Sequence, residues 1–331
     1  MSDSRALLYC AGGGIGDSLV ASIVARALRT RFSTVDALTL PGHAALLERV
    51  PDVDGVLVDD DDGRELAARV TGERYDACVV TWATARTARV AAAARIPVRV
   101  GQARRFYSFR FTKRVVVRSE RGDVTSHWAD VLLDFARAIG CDTPDRRYRF
   151  VPTPQDEAEA KAIAGGLGEI VILNPCNAIA SVRGRWPLEG WAALARALQE
   201  AYDTTVLVTG SPADAPFAEG IAALAGSERI VSLAGRTSVG AFGALARRAR
   251  AFVGITTGSM HVAAAVGCPT VGIFPFQSDY PERWAPLGER TAVVRPSFPC
   301  HRGDTKERCR DYACIAHLDV PRVLAALGSL I

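Results

Sequence analysis

Apolar runs of strand length alternate with stretches in which apolar positions recur every three or four residues, from one end of the chain to the other. That alternation marks βαβ units and parallel sheets covered by helices on both faces. In the first half it predicts strands at 6–10, 35–40, 55–58, 77–81, 98–100 and 114–118, with helices near 18–30, 44–50, 65–70, 85–94 and 126–139. The segment 146–154, with Pro152 and Pro154, reads as a linker. A second sheet then restarts, with strands at 170–173, 205–209, 229–232, 251–255, 270–274 and 291–294 and helices near 188–202, 215–224, 239–248 and 259–266. Residues 321–330 form a terminal amphipathic helix. The expected fold is therefore α/β, with two doubly wound Rossmann-like domains facing across a cleft, spanning 1–152 and 153–318. A C-terminal helix at 319–331 packs back toward the first domain. In such sheets ligands bind at the carboxyl ends of the strands.

Composition narrows the class. With 331 residues and 49% hydrophobic positions the chain is too apolar for disorder and long enough for two cores. No run approaches the ~18–20 apolar residues of a membrane span, and the first residues do not resemble a secretory signal. A cytoplasmic protein is expected. Cys10, Cys78, Cys141, Cys176 and Cys268 are scattered through strand-like and turn-like contexts, so they are expected as thiols. Forty basic and 36 acidic residues leave a net charge of +4, which gives no signature of nucleic-acid binding. All but Lys113, Lys161 and Lys306 of the cations are arginines, a bias attributed first to a GC-rich genome although it suits phosphate recognition. One local basic stretch runs from Arg104 and Arg105 to Arg121, either a solvated loop and edge strand or an anion-recognising surface.

The first strand runs into Ala11-Gly12-Gly13-Gly14-Ile15-Gly16-Asp17-Ser18 and then a helix. A dinucleotide fingerprint fails here, because the third glycine would fall on Asp17 and the second strand ends without an acid at its tip. A P-loop fails for want of Gly-Lys-Ser/Thr. What remains is a loop that allows close backbone approach, with a carboxylate beside it. Asp17 is either the N-cap or first-turn acid of the helix, favoured by the dipole, or a general base for a hydroxyl brought to the glycines.

In the second half Thr256-Thr257-Gly258-Ser259-Met260-His261 follows a strand and opens an alanine-rich helix, presenting amides and hydroxyls to an anion such as a pyrophosphate. His261 is either a structural histidine or a direct ligand. Asn174 ends the first strand of this sheet, and the loop after it carries Arg183 and Arg185 before Trp186-Pro187 leads into a helix. Ser211 and Asp214 follow the next strand, where Asp214 either caps a helix or binds ribose hydroxyls; the cap is the plainer expectation. Cys300, His301, Cys309, Cys314 and His317 supply donors enough for zinc. Their spacings of nine and five do not form paired Cys-x-x-Cys units, so packed or solvent-facing thiols and no bound metal are expected.

Taken in order, Gly16-Asp17, Arg185-Trp186-Pro187, the stretch from Ser232 to Ser238, Thr257-Gly258 with His261, and Gly267 to Phe274 resemble glycosyltransferase family 9, the heptosyltransferases, over essentially the whole chain. The resemblance implies a GT-B fold, an N-terminal acceptor domain and a C-terminal donor domain. It implies that Asp17 is the catalytic base of an inverting, metal-independent transfer from an ADP-heptose. The backbone donors at Thr257 and Gly258 then hold the diphosphate, Asp214 lies near the ribose, and no cofactor is needed beyond the ADP-sugar itself. Further donor contacts are expected from Thr256, Ser259, His261, Arg183, Arg185, Asn174 and Ser211, and acceptor contacts from Gly13, Gly14, Ile15, Arg104 and Arg105. Two departures stand out. Thr256 occupies the family's usual aspartate position, so the donor sugar can differ from the usual heptose. Gly184 replaces a usual lysine, with Arg183 and Arg185 flanking it. The acceptor is either the lipopolysaccharide inner core or a small natural product such as an aminoglycoside or nucleoside. A monomer with at most peripheral membrane association is expected. The competing readings are a GT-B nucleotide-sugar epimerase or hydrolase, and a non-catalytic nucleotide-sugar-binding protein.

Overall fold

The structure, a computed structural model, describes residues 4–60, 63–175, 186–276, 280–298 and 309–331. The chain divides into two compact units, 1–151 and 152–331. The first holds β1 (Arg5–Tyr9), β2 (Thr34–Thr39), β3 (Val56–Val58), β4 (Ala77–Val80), β5 (Val98–Gln102) and β6 (Lys113–Val115), all parallel, in the order β3-β2-β1-β4-β5-β6. Its helices are α1 (Ile15–Leu28), α2 (Pro41–Leu47), α3 (Gly63–Gly72), α4 (Ala85–Ala93) and α5 (Trp128–Arg137). The two-residue period of the strands sorts their side chains between faces: Leu7, Tyr9, Cys78 and Val80 share one apolar cluster with Leu66, Val70 and Val90 of α3 and α4. Helices α1 and α5 pack on each other and on the sheet.

The second unit opens with α6 (Pro154–Ala164) and continues as β7 (Ile170–Asn174), α7 (Leu188–Tyr202), β8 (Thr205–Val208), α8 (Ala215–Ala225), β9 (Ile230–Ser232), α9 (Val239–Arg248), β10 (Ala251–Ile255), α10 (Gly258–Ala265), β11 (Thr270–Ile273), α11 (Pro281–Trp284), β12 (Thr291–Val294) and α12 (Val320–Gly328). Its parallel order, β12-β11-β10-β7-β8-β9, repeats that of the first sheet when numbered within the unit. The terminal helix α12 packs within this unit, against α7, β11 and β12.

Two elements differ from expectation. Helix α1 begins at Ile15, three residues before the predicted start at Ser18, because Gly14 is the N-cap and the Asp17 carboxylate closes a capping box back onto it. Residues 146–154 are no free linker: Tyr148 and Phe150 are buried, and α6 starts at Pro154 behind a Thr153–Asp156 capping box. The buried face of α6 includes Ala160 and Ala164, too weakly hydrophobic to register as a period. At the amino edge of the first sheet a groove of about 400 Å³ opens among Arg31, Phe32, Asp76, Val98 and Lys113. Cys10, Cys78, Cys141, Cys268, Cys309 and Cys314 are free thiols among the described residues, and Cys176 lies outside them. Burial pushes the Cys10, Cys78 and Cys268 thiols up to about 12.

Candidate active site

In a doubly wound sheet the strand order reverses at one point, and the loops on either side of it diverge to leave a crevice at the carboxyl edge. In the first unit that point lies between β1 and β4. The β1–α1 loop, 10–14, thus meets the loop after β4, where a Cβ on Gly12 would lie 2.1 Å from the Trp82 indole. Only a glycine lets that ring, 41% exposed, lie on the backbone. Gly13 follows at φ +70°, and a Cβ there would sit 2.5 Å from Asp17 Oδ2. The Gly14 N–H donates to that same oxygen at 2.7 Å. Asp17 is therefore the third helical residue rather than the cap itself, and its carboxylate is fixed over a strip of bare backbone.

Beside it, Ser18 Oγ and His43 Nδ1 share a hydrogen bond of 2.9 Å. Burial lowers the His43 pKa below its ordinary value while the nearby Asp17 charge acts in the opposite sense. Neither Trp82 nor His43 was singled out from sequence. Each follows a strand whose place beside β1 is known only once the strand order is known. Gly13, Gly14 and Ile15 lie beside Asp17 at the start of α1. Arg104 and Arg105 follow β5, two strands and so roughly 10 Å along the edge from β1. Arg105 is paired there with Glu120 at 2.8 Å, and Arg104 Nη1 donates to the Glu120 carbonyl at 3.3 Å.

In the second unit the reversal lies between β7 and β10. Asn174, at the end of β7 and 1% exposed, donates from Nδ2 to Thr209 Oγ1 at 2.9 Å and accepts from Thr257 Oγ1 at 3.5 Å. Gly254 of β10 allows this crowding, since a Cβ there would meet the Asn174 carbonyl at 2.8 Å. Thr256 N donates to the β11 carbonyl of Ile273 at 3.0 Å, and Thr257 is the N-cap of α10 without a side-chain cap bond. The amides of Gly258 and Ser259, the first two of the helix, have no carbonyl within it to donate to. Positive potential thus accumulates where Thr256, Thr257, Gly258 and Ser259 meet Asn174. His261, 5% exposed, lies on the buried side of α10.

Asp214 closes a capping box on Ser211, the N-cap of the 212–214 turn, and makes no side-chain cap bond to α8. Its Oδ2 accepts from Ser211 N at 2.8 Å and Ser211 Oγ at 2.5 Å, and a Cβ on Gly210 would touch its Cβ at 2.8 Å. Arg183 and Arg185 lie outside the described residues. Trp186, next to them, packs edge-on against Trp191 at 4.8 Å and anchors the start of α7. Tyr312 N donates to Cys309 Sγ at 3.2 Å and Cys314 Sγ to the Pro275 carbonyl at 3.7 Å, while Cys300 and His301 lie outside the described residues.

Two doubly wound units of matching strand order, with a carboxylate at one reversal point and an anion-receptive helix start at the other, define the GT-B class of glycosyltransferase folds. The chain belongs to glycosyltransferase family 9, the heptosyltransferases, whose family model matches residues 64–312. It is similar to the solved ADP-heptose LPS heptosyltransferase II of E. coli, with 20% identity, TM-score 0.80 and 98% of each chain covered. A family 9 glycosyl transferase from Veillonella parvula has 17% identity and TM-score 0.83, covering 100% of this chain and 98% of its own. E. coli heptosyltransferase WaaC with ADP has 16% identity and TM-score 0.74, covering 99% and 100%. A search of curated proteins found no match. The chain is thus a heptosyltransferase-like glycosyltransferase, and no helix among the described residues is long and apolar enough to cross a membrane.

Proposed function

We propose that the chain moves a heptose or a closely related sugar from an ADP-sugar to an acceptor hydroxyl, with inversion and without a metal. The acceptor O–H proton passes to the Asp17 carboxylate as the oxygen attacks the anomeric carbon. The bond from that carbon to the diphosphate oxygen breaks, and its electron pair leaves with ADP. The amides of Gly258 and Ser259 and the hydroxyls of Thr256 and Thr257 receive that charge, which is the role a metal plays elsewhere. Arg183 and Arg185 are assigned to the same diphosphate, and Asn174, Ser211, Asp214 and His261 to the donor. Gly13, Gly14, Ile15, Arg104 and Arg105 are assigned to the acceptor.

The observation that carries the reading is the fixed Asp17 carboxylate above Gly13, where nothing bulkier than a hydrogen is tolerated. Its support for a base is separable from its role as a cap. In Asp17→Asn the amide oxygen still accepts from Gly14 N–H but takes up no proton. Turnover should fall about 10²–10⁴-fold, with ADP affinity and thermal stability close to wild type. Unchanged turnover removes Asp17 from the mechanism. Donor consumption that proceeds equally well without acceptor favours an epimerase or hydrolase instead. ADP-heptose is favoured as donor because the E. coli relatives are described with ADP or as ADP-heptose enzymes. Thr256 leaves room for a different sugar, and a thermal-shift panel of ADP-, GDP-, UDP- and dTDP-sugars decides it. The acceptor is either the lipopolysaccharide inner core, lipopolysaccharide being named for the E. coli enzyme, or a small natural product such as an aminoglycoside or nucleoside. We place the enzyme in the cytoplasm as a monomer, which sedimentation equilibrium tests.

A further inference from the structure

Phe106 and Phe109 are the two most exposed large apolar side chains of the described residues, at 82% and 66%. They stand on the connection from β5 to β6, which leaves the carboxyl edge that also carries Asp17. The turn is held firmly from below. Tyr107, buried between them in sequence, donates from its hydroxyl to the Ala83 carbonyl at 2.5 Å, beside Trp82. Ser108 Oγ donates to the Gln102 carbonyl at 2.6 Å, and the Phe111 ring fills the space that a Cβ on Gly101 would need. The two exposed rings are therefore displayed by a fixed scaffold. Arg110 lies over the Phe109 ring at 4.4 Å.

The charge around them is one-sided. Glu120 is the one carboxylate in residues 104–121, and Arg105 pairs with it. Arg118 is held by Asp134. No carboxylate among the described residues forms an ion pair with Arg104, Arg110, Lys113, Arg114 or Arg121. Asp123, just beyond, is fixed in its own turn by Ser126 and Thr125. Two exposed aromatic tips, with Arg110 over one ring and Arg104 two residues before the other, suit an interface of acyl chains below anionic headgroups. A second copy would set this cationic surface against itself, and two rings offer far less than the ~800 Å² per partner of a stable protein interface.

Building on the transferase reading, we propose that the Phe106–Phe109 turn docks the first unit on an anionic lipid bilayer, so that a lipid-borne acceptor reaches Asp17 along this edge. The rings insert among the headgroups and the cations hold the surface.

The test is flotation of the full chain with vesicles of pure phosphatidylcholine, or of three parts phosphatidylcholine to one part phosphatidylglycerol. Binding to the anionic vesicles should exceed binding to the neutral ones at least tenfold, and should vanish at about 1 M salt, where the Debye length is ~3 Å. Phe106→Ala with Phe109→Ala should lower it at least tenfold while leaving ADP binding by calorimetry at the wild-type value. Arg104→Glu with Arg110→Glu should lower it by about fivefold for each unit of charge removed. Equal binding to both vesicle types, or undiminished binding by the phenylalanine variant, overturns the proposal. So does a wild-type dimer in sedimentation that the phenylalanine variant dissolves, which assigns the turn to contacts between copies. Failure of ADP binding in the wild type counts against the transferase reading alone, since vesicle binding does not require nucleotide.

Discussion

A methyl group on Gly13 would meet the Asp17 carboxylate at 2.5 Å, and the residue's φ of +70° already disfavours any side chain. Gly13→Ala should therefore cost about 1–2 kcal/mol in urea unfolding. It should also lower turnover more than it weakens ADP binding, because what moves is the carboxylate and not the second unit. Equal loss in both measurements would mean a general unfolding effect. The identity of Asp17 and the glycines before it was readable from sequence, since a strand-glycine-acid-helix series has few uses. Trp82 and His43 were not, because neither type nor spacing distinguishes them from core aromatics or ordinary loop histidines. Their closeness to the glycine loop is a product of strand order, which periodicity does not report. Asp214 shows the converse: the sequence allowed both helix cap and ligand, and its carboxylate closes a capping box on Ser211 without bonding α8.

Helix α1 does more than present Asp17. At its other end Arg26 is buried, bonded to Asp52 at 3.0 Å and to the carbonyls of Asp145 and Arg147 at 3.1 and 2.7 Å. It ties the segment leading out of the first unit to the sheet. Arg26→Met should destabilise by about 3–5 kcal/mol, because Asp52 is left buried with only the longer contact to Arg149 at 3.8 Å. Asp52→Asn added to it should recover part of that loss, measured by denaturant unfolding. The same segment supplies a pH signature. Hydrogen bonding to Arg147, with help from Arg149 and Arg26, holds the Asp145 carboxyl well below the usual carboxylate range. Its contribution is complete above the unfolded value near ~3.9 and disappears as pH falls through the depressed folded one. Asp145→Asn should thus cost about 1 kcal/mol at pH 7. The difference from wild type should shrink steadily below about pH 4. Strand positions along both units were legible because parallel strands buried on two faces are continuous apolar runs. Helix α6, with seven alanines and acids among its 11 residues, was not, and its fold is imposed by packing on α9.

At the scale of the whole molecule, two sheets of one topology carry different chemistry at corresponding places: glycines and a carboxylate after β1, an amide, hydroxyls and a helix start after β7 and β10. If nucleotide is held at the second of these, ADP at a hundred times its Kd should add about 2.7 kcal/mol to stability. Asn174→Leu, which removes the partner of Thr209 and Thr257, should abolish most of that gain in calorimetry and thermal shift. The proposed function places activity at the carboxyl ends of the strands, which leaves the opposite rim at liberty to change. The hollow of about 400 Å³ by Phe32 and Val98 lies there, with Asp76 receiving the Arg5 amide at 2.9 Å nearby. An engineer seeking a hardier catalyst has in that hollow a place to add bulk, far along each strand from any group that handles sugar or phosphate.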